Sequence, residues 1–181
     1  MLVANLLDAL YKAFPLDTAE PWDHVGLSVG DPSSTITGVT CALDATLDNV
    51  RSAHKSGSNV LLTHHPVYIK APDAFKPAES LTPSSSSVVY EAARLGVSVI
   101  SMHTNLDRSA AARTLLPKLM GFTASSSLEF VQQPDLLGLG AVADIAEINL
   151  AELASRASRI FHTQPRVWGE PSHRISRVDF L

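Results

Sequence analysis

Apolar positions alternate between helical and strand periodicity from the start of the chain to residue 121. Residues at helical spacing from Leu6 to Phe14 end at Pro15. Short apolar runs predict three strands, at 36–43, 60–62 and 97–102. Helical patterns predict the helices that follow each of them, at 46–57, 84–95 and 115–121. Because strands that alternate with helices usually form parallel sheets with right-handed crossovers, the pattern predicts an α/β fold.

Other segments lack this regular alternation. Residues 21–32 (PWDHVGLSVGDP) are predicted to form a turn-rich loop, and residues 67–82 form an excursion without a clear period. The tail is predicted to hold a strand at 136–142, a helix capped by Asn149, and short strands at 166–168 and 175–181.

The last residues, Val178 to Leu181, lie in an apolar run with no turn residue after it. Strands usually lead into a Gly, Asn, Asp or Pro turn, which favours an interrupted domain slightly over a terminal edge strand. We therefore expect a first α/β domain over 1–125, which carries the candidate site described below, and a partial second α/β segment over 126–181.

Composition excludes several classes of protein. The chain is 45% hydrophobic with a formal net charge of −4, so it lacks the basic character of a nucleic-acid binder or of a protein that binds anionic membranes. No apolar run is long enough to span a membrane, and no signal peptide is expected, because the N-terminal stretch has no basic region and contains Asp8. Cys41 is the only cysteine, so an internal disulfide is excluded. Its position within a predicted strand assigns it to the core. A cytoplasmic protein with no membrane or nucleic-acid partner is expected.

Residues that can bind metal follow each predicted strand. Asp44 follows the first strand, His64 and His65 follow the second, and the segment His103–Asp107 follows the third. The carboxyl ends of parallel strands meet at one edge of the sheet, and neighbouring strands are only about 4.8 Å apart. Imidazole and carboxylate groups within that reach form a mixed nitrogen and oxygen ligand set for a divalent metal.

Each of these residues also has a structural interpretation. An isolated His-His pair usually lies in an exposed loop. Here Pro66 restricts the backbone before it to an extended conformation, in which adjacent side chains diverge. Diverging histidines suit two metal ions better than one. Taken singly, Asp107 is better explained as a helix cap. Asn105 is an alternative cap of the same helix, and a core or capping role is the alternative for His103. When Asp107 and His103 are considered together with His64 and His65 at one edge of the sheet, metal ligation becomes the better interpretation. Asp44 is expected to be a turn residue or a partner of a ligand. Three of the remaining histidines are assigned to the surface: His54, His162 and His173. The role of His24 is left open.

The chain resembles the dinuclear-metal family of GTP cyclohydrolase 1 type 2 homologs, also called NIF-three-like proteins. Four segments carry the resemblance: residues 22–30 (WDHVGLSVG), 42–46 (ALDAT), 62–66 (LTHHP) and 103–107 (HTNLD). Their order and spacing agree with the family over about residues 1–125. The HHP and HTNLD motifs in this order are specific, whereas either alone is weak.

The resemblance implies a three-layer α/β fold with a parallel or mixed sheet flanked by helices, here with an incomplete second half. It implies that His64 and His65 each bind one of two divalent ions (Zn, Fe, Mn, Co or Ni) and that Asp107 bridges them. His103 lies beside the site and is assigned the catalytic role of moving protons. The family assembles as a toroidal homohexamer, and its named activity is hydrolytic opening of the GTP imidazole ring, so a nucleotide substrate is implied.

The sequence departs from the family pattern in two places. The family takes two further ligands from an H-x-x-x-E motif, but after Asp107 neither His162 nor His173 is followed by Glu four residues later. Residues 108–112 (RSAAA) replace an expected glycine-containing turn. Three hypotheses follow: a metal-dependent hydrolase, a non-catalytic metal-binding or regulatory protein, and a metal-free scaffold. Weak or partial metal binding is expected in this 181-residue form.

Overall fold

The computed structural model describes residues 1–77 and 84–181. These residues divide into two compact units, Met1–Leu106 and Asp107–Leu181. The sequence places a domain boundary later, after residue 125, and that boundary stays a prediction. The end of the predicted excursion, residues 78–82, lies outside the described part of the chain.

The first unit is built on a four-stranded mixed sheet. Its strands are β1 (Gly26–Val29), β2 (Val39–Ala42), β3 (Val60–Thr63) and β4 (Ser98–Ser101), in the order β1-β4-β3-β2. β2, β3 and β4 are parallel, with Cys41 opposite Leu62 and Leu62 opposite Ile100. β1 pairs with β4 in the antiparallel direction, Gly26 lying opposite Ser101. The predicted α/β class with a mixed sheet is confirmed.

Helices cover both faces of this sheet. α1 (Val3–Ala13) lies on one face, while α2 (Leu47–Lys55) and α3 (Ser85–Leu95) lie on the other. Thr46 and Ser84 cap α2 and α3 by accepting backbone N–H bonds, as the sequence predicts. Gly96 ends α3 in the left-handed conformation at φ 67°, which glycine adopts without strain.

Each face of the sheet has its own apolar core. Fully buried Leu61 and Val99 face α2 and α3, whereas Val60 and Ile100 face α1. This alternation along β3 and β4 arises because successive side chains of a strand point to opposite faces. The first unit is therefore a helix–sheet–helix sandwich of three layers, and the central strands β3 and β4 are almost entirely buried because both of their faces are covered.

Two sequence predictions in this unit are wrong. The predicted loop at 21–32 contains β1, a strand of four residues that begins at Gly26 and is too short to show a clear alternation. The predicted buried strand at 36–43 is only four residues long and lies at the sheet edge, with a neighbour on one side. Val39 is consequently 40% exposed and Cys41 is exposed rather than part of the core.

The second unit contains two helices and a two-stranded antiparallel sheet. α6 (Leu150–Phe161) is capped by Asn149, as predicted, whereas α5 (Ala110–Leu119) is capped by Ser109 rather than by Asn105 or Asp107. β5 (Ala141–Asn149) pairs with β6 (Arg174–Phe180), with an irregularity between Asp144 and Ile148. The predicted strand at 175–181 is confirmed within a residue. The predicted strand at 136–142 instead begins at Ala141, since Gly138 and Gly140 precede it, and 166–168 is not a strand.

A short helix, α4 (Thr104–Asp107), follows β4 and ends at the first residue of the second unit. Within residues 1–77 and 84–181, no helix combines the length and the apolar composition that crossing a membrane requires.

Candidate metal centre

The topology of the first unit brings four chain segments to one edge of the sheet. β2, β3 and β4 run parallel and end there, and the antiparallel β1 begins there. The residues after the three parallel strands and the residues before β1 therefore lie side by side. This is the edge at which open α/β sheets bind ligands.

Three imidazoles meet at this edge. His64, His65 and His103 each offer one ring nitrogen, and these nitrogens all lie within 4.8 Å of one another. The ring centroids are 4.9 Å apart for His64 and His65, 5.1 Å for His64 and His103, and 5.7 Å for His65 and His103. Two nitrogens bound to one zinc ion are at most about 4.2 Å apart, which is twice a Zn–N bond. The cluster therefore needs only a small adjustment to hold one ion.

A carboxylate buried below the cluster holds His103. The Nδ1 atom of His103 is 2.9 Å from Asp23 Oδ1. The other oxygen, Oδ2, accepts hydrogen bonds from the backbone N–H and the hydroxyl of Thr104. The Asp23 side chain is fully buried and the His103 side chain is 18% exposed. Asp23 thus joins the loop before β1 to the start of α4.

Asp23 stays ionised despite its burial. Removal from water opposes ionisation, but hydrogen bonds from Thr104, His103 and the backbone N–H of His24 outweigh it, so the pKa of Asp23 lies below its ordinary value. An ionised carboxylate can only accept hydrogen bonds. His103 therefore donates its Nδ1–H to Asp23.

The other two rings are held by acceptors as well. His64 Nδ1 lies 3.0 Å from the carbonyl oxygen of Met102, which can only accept. His65 Nδ1 lies 2.7 Å from Asp44 Oδ1, and both of these side chains are about half exposed. Asp44 is thus a partner of His65, in agreement with its expected role as a turn residue or a partner of a ligand.

The donor set fits a divalent cation. A neutral imidazole whose Nδ1 carries the proton keeps its lone pair on Nε2, which is the atom that binds metal. Histidines that bind metal usually donate their other ring N–H to a carboxylate or a backbone carbonyl. His64, His65 and His103 all show this arrangement, with one carbonyl and two carboxylates as acceptors.

Asn105 fixes the loop that carries His103. Its side chain is fully buried and its Oδ1 accepts the backbone N–H of His103 at 3.1 Å. Its amide nitrogen donates to the carbonyl of Phe14, just after α1. The Asn of the HTNLD motif is therefore a structural clamp rather than the cap of the following helix, which is Ser109.

The structure brings together three of the four predicted site residues. His64, His65 and His103 form the cluster, while Asp107 belongs to the second unit, and its bridging role stays a prediction. His24 packs its ring against Tyr68 at 4.7 Å.

The other assigned histidines are exposed, as predicted: His54, His162 and His173.

Sequence reasoning missed the role of Asp23. The residue lies in the family-like WDHVG segment, which was predicted to be a loop. Only the antiparallel return of β1 places this loop beside His103 and Thr104, so the missing signal was the strand itself.

This fold and this cluster define an α/β protein with a candidate metal centre at the ends of its parallel strands. Residues 1–181 match the family model Duf34/NIF3 (NGG1p interacting factor 3), so the chain belongs to this family. The resemblance expected from the HHP and HTNLD motifs is confirmed.

Curated relatives carry the name "GTP cyclohydrolase 1 type 2 homolog". One from Staphylococcus aureus (strain COL) is 35% identical over 122 residues, which is 67% of this chain and 32% of the relative. One from Clostridium acetobutylicum is 28% identical over 180 residues, covering 96% of this chain and 65% of the relative. The matched part of the chain thus spans about a third of the first relative's length and somewhat under two thirds of the second's.

Solved structures show the same fold. The S. aureus hypothetical protein SA1388 superposes with a TM-score of 0.85 at 27% identity, covering 99% of this chain and 71% of that chain. A Bacillus cereus protein related to NIF3 gives a TM-score of 0.83 at 14% identity, covering 99% of this chain and 75% of the other. The second likeness concerns the fold alone.

Proposed function

We propose that this chain is a metal-dependent hydrolase whose reaction takes place at the cluster of His64, His65 and His103. The observation that supports it most directly is that one ring nitrogen from each of the three histidines lies within 4.8 Å of the others, while each Nδ1 lies within hydrogen-bond distance of an oxygen acceptor. Histidines that bind metal usually donate their other ring N–H to such an acceptor, which supports His64 and His65 as the ligands of this site.

We assign the three rings different tasks because their acceptors differ. His64 lies against the carbonyl oxygen of Met102 and His65 against the half-exposed carboxylate of Asp44, and both are proposed as metal ligands, following the family resemblance. Asp107 is proposed as a further ligand. His103 pairs with a buried carboxylate, which stabilises the protonated ring. His103 is therefore proposed to accept a proton from the attacking water and return it to the leaving group.

A divalent cation at this site would polarise a substrate bond and lower the pKa of a nearby water molecule. Mixed nitrogen and oxygen ligands suit Zn, Fe, Mn, Co or Ni, and two ions are proposed, following the family resemblance. Asp23 holds His103 in one tautomer, and Asn105 fixes the backbone that carries it.

The proposed substrate is a nucleotide, because the relatives are named GTP cyclohydrolase 1 type 2 homologs. We also propose assembly as a toroidal homohexamer. Light scattering coupled to size-exclusion chromatography tests the assembly: a mass six times 19.4 kDa is expected, and a monomer at micromolar concentration would exclude it.

Metal analysis tests the site. We expect the purified protein to bind Zn²⁺ or Co²⁺ weakly, with binding strongly reduced in His65→Ala and in Asp107→Ala. His54→Ala is the matched control, because His54 is an exposed histidine on α2 away from the cluster. His103→Ala should retain most of the metal affinity but lose turnover of a nucleotide panel.

The outcomes separate the candidate functions. Metal binding unaffected by His65→Ala and Asp107→Ala would overturn the hydrolase proposal. Metal binding that depends on both residues, with no turnover of any nucleotide, would favour the non-catalytic metal-binding protein. Loss of metal in His103→Ala would make His103 a ligand instead of a proton carrier.

A further inference from the structure

A tryptophan is exposed beside the imidazole cluster. Trp22 is 56% exposed, although large apolar side chains normally lie inside a fold. Its ring centroid lies 6.2 Å from that of His103, with an interplanar angle of 76°. The contact is edge-on, so it leaves much of the indole open to solvent at the rim of the cluster.

The turn that carries Trp22 is tied to the site. The backbone N–H of Asp23 donates to the carbonyl of Glu20 at 3.0 Å, which closes a turn with Pro21 and Trp22 at its centre. Proline at the second position of a turn presets its backbone angle. The N–H of Glu20 also donates to the hydroxyl of Thr104 at 2.9 Å.

The same threonine binds the other end of the turn. Thr104 donates from its backbone and its hydroxyl to Asp23 Oδ2. Both ends of the four-residue turn are therefore fixed to the first residue of α4, next to His103. An exposed indole on a rigid support loses little conformational entropy when a ligand binds it, and this is the property of an aromatic recognition residue.

We propose that Trp22 is a specificity residue that stacks against a planar heteroaromatic ring of the substrate. This inference rests on the proposed function. It places the bond that is hydrolysed beside the side chains of His64, His65 and His103, and it stacks the heteroaromatic ring of the substrate on the indole of Trp22. It extends that function by naming the recognised feature, a flat heterocycle, and the residue that reads it. Stacking of a base on an aromatic side chain changes affinity by about 5- to 150-fold.

The chain offers an internal control for the test. It has two tryptophans, and the second, Trp168, is 99% exposed in the second unit. In Trp168→Phe, the indole emission reports on Trp22 alone. We expect guanosine monophosphate to quench this emission saturably in metal-free protein, and ribose 5-phosphate, which lacks the ring, to leave it unchanged.

Substitutions of Trp22 test the stacking by calorimetry. Trp22→Phe should keep the affinity for guanosine monophosphate within about threefold, whereas Trp22→Leu should lower it about 5- to 150-fold. Zinc binding and the circular dichroism spectrum should be the same in both variants as in the wild type.

The opposite results would overturn the inference. These are equal responses of Trp22 emission to guanosine monophosphate and ribose 5-phosphate, or wild-type affinity in Trp22→Leu. If Trp22→Leu does not fold, the emission experiment on Trp168→Phe still decides. Failure of the proposed function would be seen in a different measurement, in which zinc binding does not depend on His65.

Discussion

His103 Nδ1 lies 2.9 Å from the fully buried carboxylate of Asp23, a residue 80 positions earlier in the chain. The pair joins the loop before β1 to the segment after β4, and it exists because these two strands are antiparallel neighbours. The carboxylate fixes which nitrogen of His103 carries the proton. The tautomer of His103 is therefore determined by a residue outside the HHP and HTNLD motifs.

Asp23→Asn is expected to reduce turnover by about 100-fold or more. The amide carries no charge to stabilise protonated His103, and its NH2 group competes for the position of the Nδ1–H. Metal affinity should change by less than about threefold, because His103 is not assigned as a ligand. Steady-state kinetics and calorimetry with Zn²⁺ measure the two quantities.

Asp31→Asn is the control for this substitution, since Asp31 is an exposed aspartate whose side chain accepts hydrogen bonds from Ser33, away from the cluster. A fall in metal affinity of tenfold or more in Asp23→Asn, absent in Asp31→Asn, would show instead that His103 is a ligand. Nitrogen NMR of the His103 ring would reveal the expected loss of a single tautomer.

Asp44→Asn is expected to change metal affinity rather than turnover, and by less than Asp23→Asn changes turnover. Asp44 orients His65, a proposed ligand, so the substitution should weaken metal binding by up to about tenfold, the low end for a group that orients a metal-binding histidine. The effect is small because the Asp44 and His65 side chains are 53% and 47% exposed, where water replaces the lost bond. Calorimetry that shows no change, or a loss beyond 100-fold, would contradict this.

Much of the first unit was predictable because polar residues at the ends of its apolar strands mark where each strand stops. Central strands β3 (VLLT) and β4 (SVIS) have apolar centres. His64 follows β3 directly and His103 follows β4 after Met102, so parallel pairing alone brings the two rings together. The capping residues Thr46 and Ser84 likewise act locally, which is why the starts of α2 and α3 were predicted correctly.

The rest depended on pairings that leave little trace in the sequence. β1 begins at Gly26, whose φ of 96° favours glycine over other residues, and a glycine there resembles a loop in the sequence. Without β1, nothing places Asp23 or Trp22 at the site. Cys41 was assigned to the core because an apolar run does not show whether its strand is central or at an edge.

Asn105→Ala is expected to destabilise the first unit by about 2–3 kcal/mol. The substitution leaves the buried N–H of His103 and the carbonyl of Phe14 without their partner. Urea unfolding measures the change. Asn49→Ala is the control, because the Asn49 side chain donates to an exposed carbonyl and should cost less than about 1 kcal/mol. Equal losses in the two variants would contradict the clamp role of Asn105.

The ion pairs of Glu91 make the stability of the α2–α3 contact depend on pH. Arg94 and Arg51 both donate to the Glu91 carboxylate at 2.9 Å, and these bonds lower its pKa from 4.5 to about 2. Since the folded-state pKa is the lower one, the stabilisation is complete above pH 4.5 and is lost as the pH falls towards 2. Its size is about 1 kcal/mol, because both guanidinium groups are more than half exposed.

Glu91→Gln should therefore lower the free energy of unfolding at neutral pH and remove part of its pH dependence. Denaturant unfolding at several pH values between 2 and 4.5 measures both effects, with Glu170→Gln as a control in an exposed loop. The difference between wild type and Glu91→Gln should shrink as the pH falls, since protonation of Glu91 removes the same charge that the substitution removes. A difference that stays constant over this range would mean that the glutamate stabilises the helix pair by packing rather than by its charge.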